Sequence, residues 1–102
     1  MSVHDPFIAR GFVLLDEKVP GWEHRVDLKT LDLGSWTRCV VGQLFDVQKR
    51  ELLWEGFSAL GVESPRAYGF SLNWDLHHAA TYGGLTNAWK RAIRARRAGR
   101  QP

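Results

Sequence analysis

The sequence predicts a mainly α fold: a small single-domain bundle of about four helices, with ordered connections and a basic C-terminal helix. Three observations carry this. Apolar residues recur at three- and four-residue spacing in several stretches. Cap-type residues open those stretches, and glycine or proline closes them. The charge is bipolar: residues 1–75 hold 8 Lys+Arg and all 11 Asp+Glu, whereas residues 76–102 hold 6 Lys+Arg and no acid.

Asp5-Pro6 reads as the first helix start, with Asp5 capping the orphan amides and Pro6 pre-organised for the first helical position. Ile8, Phe12, Leu15 and Val19 follow at helical spacing, Gly11 is a weak point, and Pro20-Gly21 ends the element. Trp22 to Gly34 reads as an ordered connection in which Asp27 caps one turn from Leu28 to Leu31, with a short strand as the alternative. Ser35 is a cap for a helix through Phe45 that turns Trp36, Val40 and Leu44 inward. Gly42 is either a flaw in that helix or a place where another backbone comes close.

Asp46 opens the next helical stretch, with Val47, Leu53, Trp54, Phe57 and Leu60 inward and Gly61 as a left-handed stop. Ser64-Pro65 begins a short turn closed by Gly69. Phe70 to Gly84 has no sustained period and reads as a loop long enough to be a functional segment. Thr86 caps the last helix, whose stripe Leu85, Ala88, Trp89, Ala92 and Ile93 faces inward while Lys90, Arg91, Arg94 and Arg97 cover the other side. The domain is expected over residues 1–98, with a frayed basic tail at 99–102.

Composition narrows the function classes. At 44% hydrophobic over 102 residues the chain suits one folded domain, so disorder is not expected. Cys39 is the single cysteine, which forbids an intramolecular disulfide and fits a reducing, cytoplasmic setting. No leader is expected, because His4 and Asp5 stand where one would be apolar. The longest apolar run, Phe12 to Leu15, is far short of the roughly 20 residues of a spanning helix, so no membrane partner is expected.

No catalytic, cofactor or metal constellation emerges. Asp75, His77 and His78 lack the second ligand pair of a structural zinc site. Cys39 has only Arg38 beside it to activate a thiolate, and Val40-Val41 follow it, as befits a small core residue. Asp16-Glu17 are adjacent on a helix and point in different directions. No phosphate-cradling glycine motif is present. The protein is therefore expected not to be an enzyme.

Two binding surfaces remain. Trp22, Trp74 and Tyr82 lie in irregular segments and are the candidate anchors for a protein partner, since exposed Trp and Tyr dominate interface energy. Lys90, Arg91, Arg94 and Arg97 are the candidate phosphate contacts, with nucleic acid as the alternative partner.

Leu14-Leu15-Asp16-Glu17-Lys18-Val19-Pro20-Gly21-Trp22 and Cys39-Val40-Val41-Gly42-Gln43-Leu44-Phe45 carry a resemblance. So do Asp27-Leu28 with Leu31-Asp32-Leu33, Gly56-Phe57 with Leu60-Gly61, Tyr68-Gly69-Phe70, and Leu85-Thr86 with Trp89, Ile93 and Arg96-Arg97. Together they resemble a family of small uncharacterised proteins of actinobacteria and their phages. The resemblance spans most of the chain and implies a phage or prophage origin and the cytoplasm of a bacterial host, but no activity. It also implies a second cysteine three residues before Cys39; Trp36 stands there, so a Cys-x-x-Cys redox or metal pair is absent.

Overall fold

In the computed structural model, which describes residues 4–72 and 81–99, the ordered elements are helices and tight turns, with no strand among the described residues. The helices are α1 (Asp5–Lys18), α2 (Val40–Leu44), α3 (Arg50–Leu60) and α4 (Tyr82–Arg97), and 3-10 turns occupy Trp22–His24 and Pro65–Tyr68. The expected small helical bundle with a basic last helix is therefore present.

α1 buries Ile8, Phe12 and Leu15, the row that the spacing predicts. His4 takes the cap position, so Asp5 is the first helical residue rather than the cap, and it still places a carboxylate in the first turn, where the helix dipole favours one. Gly11 is no defect: a Cβ there would overlap the Tyr68 carbonyl oxygen and meet the Trp89 ring at 3.0 Å. The glycine lets the 3-10 turn at Pro65–Tyr68 lie directly on α1. That turn ends at Gly69, whose φ of +75° supplies the expected left-handed stop, as does Gly61 (φ +75°) after α3.

Three boundaries differ from expectation. The helix foreseen from Ser35 is only α2. Residues 36–38 form a turn instead, with the Ser35 Oγ accepting from the Arg38 amide at 3.3 Å, and Cys39 is the true cap, its Sγ accepting from the Gly42 amide at 3.3 Å. Gly42 marks a close approach, since a Cβ there would overlap the Trp36 carbonyl. Asp46 does not start a helix. Its φ of +51° reverses the chain after α2, and α3 begins at Arg50. α4 begins one turn before the expected Thr86, because Thr81 caps it by accepting from the Gly84 amide at 3.0 Å. Thr86 is buried within α4, and its Oγ1 accepts the Leu33 amide at 2.9 Å.

Aromatic rings form the centre. Trp22 and Trp89 are fully buried. Phe12 meets Trp22 edge-on at 4.8 Å and stacks with Trp89 at 5.6 Å, and Phe70 stacks with Trp89 at 5.7 Å. Both indole N–H groups are satisfied: Trp89 Nε1 donates to the Gly69 carbonyl at 2.6 Å and Trp22 Nε1 to Asp16 Oδ1 at 3.0 Å. Among the described residues no buried side-chain nitrogen or oxygen lacks a partner. Gln43 ties the loops together, accepting from the Asp27 amide at 2.6 Å and donating to the Arg38 carbonyl at 3.0 Å. No helix among the described residues is long and apolar enough to cross a membrane.

Candidate functional site

The basic side of α4 divides into bound and unbound cations. Arg96 reaches across to α1 and grips Asp16 with both guanidinium nitrogens, at 2.9 and 3.1 Å, while its guanidinium lies 5.0 Å from the centroid of the Phe12 ring. Arg97, one of the expected phosphate contacts, instead donates to the Glu23 carbonyl at 2.6 Å and the Val26 carbonyl at 2.5 Å. It clamps the end of the Trp22–His24 turn to α4. Lys90, Arg91 and Arg94 make no ion pair with any described residue, so of the four expected phosphate contacts these three are not committed to a described carboxylate or carbonyl.

The hydrogen bonds from Arg96, followed by that from Trp22, hold the Asp16 carboxyl below its ordinary range, and burial opposes them. Its folded-state pKa is depressed, so its contribution to stability is present above the unfolded value near ~3.9 and is lost as pH falls through the lower folded value. The ion pair is partly solvent-exposed, so Asp16→Asn, which keeps an oxygen acceptor for the Trp22 indole, is expected to cost less than about 1 kcal/mol at pH 7. Asp16→Ala also strips the indole of its acceptor and is expected to cost more, about 1–3 kcal/mol. Urea unfolding at pH 7 and pH 3 checks both, and the gap between wild type and Asp16→Asn should narrow on acidification.

The expected protein-binding anchors fall apart as a set. Trp22 is 0% exposed and belongs to the core, so it cannot meet a partner. Although the backbone around it is irregular, this turn is fully covered because α4 packs over it. Tyr82 is half-buried at the start of α4, its hydroxyl 3.2 Å from the Ser71 Oγ. Trp74 lies outside the described residues, as do Asp75, His77 and His78.

Two other tryptophans, both expected to be inward, are on the surface. Trp54 is 59% exposed and Trp36 is 42% exposed, with Phe45 nearby in chain order at 38%. Trp36 stands on the 36–38 turn because α2 starts too late to carry it inward. Trp54 stands on α3 beside Phe57, their ring centroids 5.8 Å apart. The two tryptophans share the rim of an open cavity of about 340 Å³ whose walls include Phe57, Phe70, Tyr82 and Cys39. A signal for Trp54 was available. Leu53, Phe57 and Leu60 complete an inward row without it, and Trp54 shares its side of α3 with Glu51, Glu55 and Ser58.

Cys39 faces this cavity, but its chemistry is structural. Burial pushes the thiol above its ordinary range, so at neutral pH it is a protonated cap and not a nucleophile. A thiol reagent such as DTNB is expected to react with the native protein far more slowly than with the urea-unfolded chain; equal rates would place Cys39 outside the core. No group of three or more His, Cys, Asp or Glu among the described residues is arranged to hold a metal ion. No family model, curated protein or solved structure matches the chain, which leaves its own residues as the guide to function.

Proposed function

We propose that this chain is a non-enzymatic protein-interaction module, of phage or prophage type, that acts on a host or phage protein in the bacterial cytoplasm. The observation that carries the interaction reading is the pair Trp36 and Trp54, exposed together on the rim of an aromatic-walled cavity. Folding gains nothing from leaving two indoles half in water, whereas burying them against a partner returns a large apolar area and the indole N–H as a directional donor. Tryptophan is also among the residues that most often dominate interface energy. The origin and setting rest on the sequence resemblance alone.

The test is quantitative affinity capture from an actinobacterial lysate with wild-type protein and a Trp36→Ala/Trp54→Ala variant whose fold is checked by circular dichroism. A partner retained by wild type and depleted at least about tenfold by the variant, a loss of about 1.4 kcal/mol or more, supports the reading. Partners held equally by both refute it.

A second reading, nucleic-acid binding, is favoured by Lys90, Arg91 and Arg94 standing on one helix that itself carries no acid. Three phosphate contacts predict a log–log salt slope on duplex DNA of about −3. Adding Arg97→Ala should leave that slope unchanged, because Arg97 is committed to two backbone carbonyls. Absence of binding at low salt removes this reading.

A further inference from the structure

The cavity between Trp36 and Trp54 carries a pattern of hydrogen-bonding groups that bears on what it holds. No described residue lining it is charged, so neither an acidic nor a basic segment is selected there. Its wall hydroxyls are already engaged: Ser71 Oγ and Tyr82 Oη lie 3.2 Å apart, and Ser35 Oγ accepts from the Arg38 amide at 3.3 Å. Cys39 Sγ is likewise taken by the Gly42 amide. The two indoles on the rim differ. Their N–H groups donate to no described residue, whereas those of the buried Trp22 and Trp89 each have an acceptor within the protein. The rim therefore offers aromatic surface and two directional donors, with no charge beside them.

An incoming helix cannot use those donors along its length, because its carbonyls are paired internally except at its C-terminus. A β-strand would bring carbonyls, but also amides that need acceptors, and no described strand offers an edge to receive them. A proline-rich segment supplies the missing half alone. Proline has no backbone N–H, and the extended polyproline II helix makes no internal hydrogen bonds, so its carbonyls are free to accept. We propose that the cavity between Trp36 and Trp54 docks an uncharged, proline-rich segment of a partner protein in polyproline II form, its prolines against the indole rings and its carbonyls accepting from Trp36 Nε1 and Trp54 Nε1. Segments of this kind dock aromatic-lined grooves and lose little conformational entropy, because proline has already fixed the backbone. This occupancy rests on the tryptophan pair being the partner-facing surface, as proposed above.

The probe is a fluorescein-labelled, otherwise uncharged synthetic peptide of about nine residues, mostly proline, which makes three turns of the extended helix. Its binding to the full chain is followed by fluorescence anisotropy. Wild type should bind it at least about tenfold more tightly than the same peptide with glycine in place of proline. Trp36→Phe and Trp54→Phe each keep an aromatic ring and remove the donor, and each is expected to weaken binding about three- to tenfold. Arg91→Glu, on α4 and outside the cavity lining, should bind as wild type does. The proposal is overturned if the proline peptide does not bind, or if both Trp→Phe variants bind it as tightly as wild type. It is also overturned if an amphipathic leucine-rich helix binds the tryptophan pair as tightly, or if sedimentation shows a second copy covering the cavity as a dimer that Trp54→Ala dissociates. Capture of a lysate partner that depends on both tryptophans, with no binding of the proline peptide, overturns this occupant and leaves the interaction-module reading standing.

Discussion

Trp89→Ala is expected to leave the chain largely unfolded at 25 °C. Trp89 is 0% exposed and touches Phe12, Trp22 and Phe70, so its removal opens a cavity at the junction of α1, α4 and both 3-10 turns. Truncations of this kind cost about 3–5 kcal/mol. The Gly69 carbonyl also loses its indole donor in the interior, at a further cost of about 1–3 kcal/mol. The sum is comparable to the whole stability of a small domain, about 5–15 kcal/mol. Trp89→Phe separates the two contributions, because it keeps a stacking ring and loses the donor. Urea unfolding followed by far-ultraviolet circular dichroism should show a lowered midpoint for Trp89→Phe and no folded baseline for Trp89→Ala.

Gly11→Ala is expected to destabilise the protein, against the usual sign for a glycine inside a helix. Helix propensity alone favours alanine by about 1 kcal/mol. At Gly11, however, the added Cβ would overlap the Tyr68 carbonyl oxygen, which belongs to backbone and cannot rotate away, while the Trp89 ring crowds it from another side. Forced displacement of a packed backbone costs about 1–3 kcal/mol, so the clash is expected to outweigh the propensity gain. Gly83 is the control. It lies in the first turn of α4, and the nearest atom to a Cβ there is the Thr81 Oγ1 at 3.8 Å. Gly83→Ala should raise the melting temperature and Gly11→Ala should lower it. The same sign at both would mean that the 3-10 turn does not press on α1.

These two sites also show what was legible in the sequence. The inward rows of α1 and α4 follow directly from spacing, because each helix is longer than three turns and the apolar period dominates over that length. The stops at Gly61 and Gly69 are equally legible, since left-handed backbone favours glycine. The middle of the chain is less so. There Cys39 caps a five-residue helix with a sulfur acceptor, and Asp46 takes a positive φ usually left to glycine or asparagine. Both are held by short-range hydrogen bonds that apolar spacing does not report: the Gly42 amide donates to Cys39 Sγ, and the Val47 amide donates back to the Gly42 carbonyl around Asp46.

For the candidate site, the basic helix was legible as charge, but its division was not. Asp16 and Arg96 are 80 residues apart, and Arg97 binds carbonyls 74 and 71 residues away. The tryptophans divide in the same way. Trp22 sits on an irregular segment yet is sealed beneath α4, whereas Trp54 sits on a regular helix yet faces outward. Exposure follows from how the helices pack, and an irregular backbone is a poor proxy for it.

Trp36 and Trp54, rather than the buried Trp22, are the proposed contacts with a partner. Fluorine NMR of protein labelled with 5-fluorotryptophan reads these side chains separately, with signals assigned by single Trp→Phe variants. On titration with the protein captured from host lysate, the Trp36 and Trp54 signals should shift or broaden while those of Trp22 and Trp89 hold their positions. A bound complex in which Trp36 and Trp54 are unmoved would show that the partner docks elsewhere.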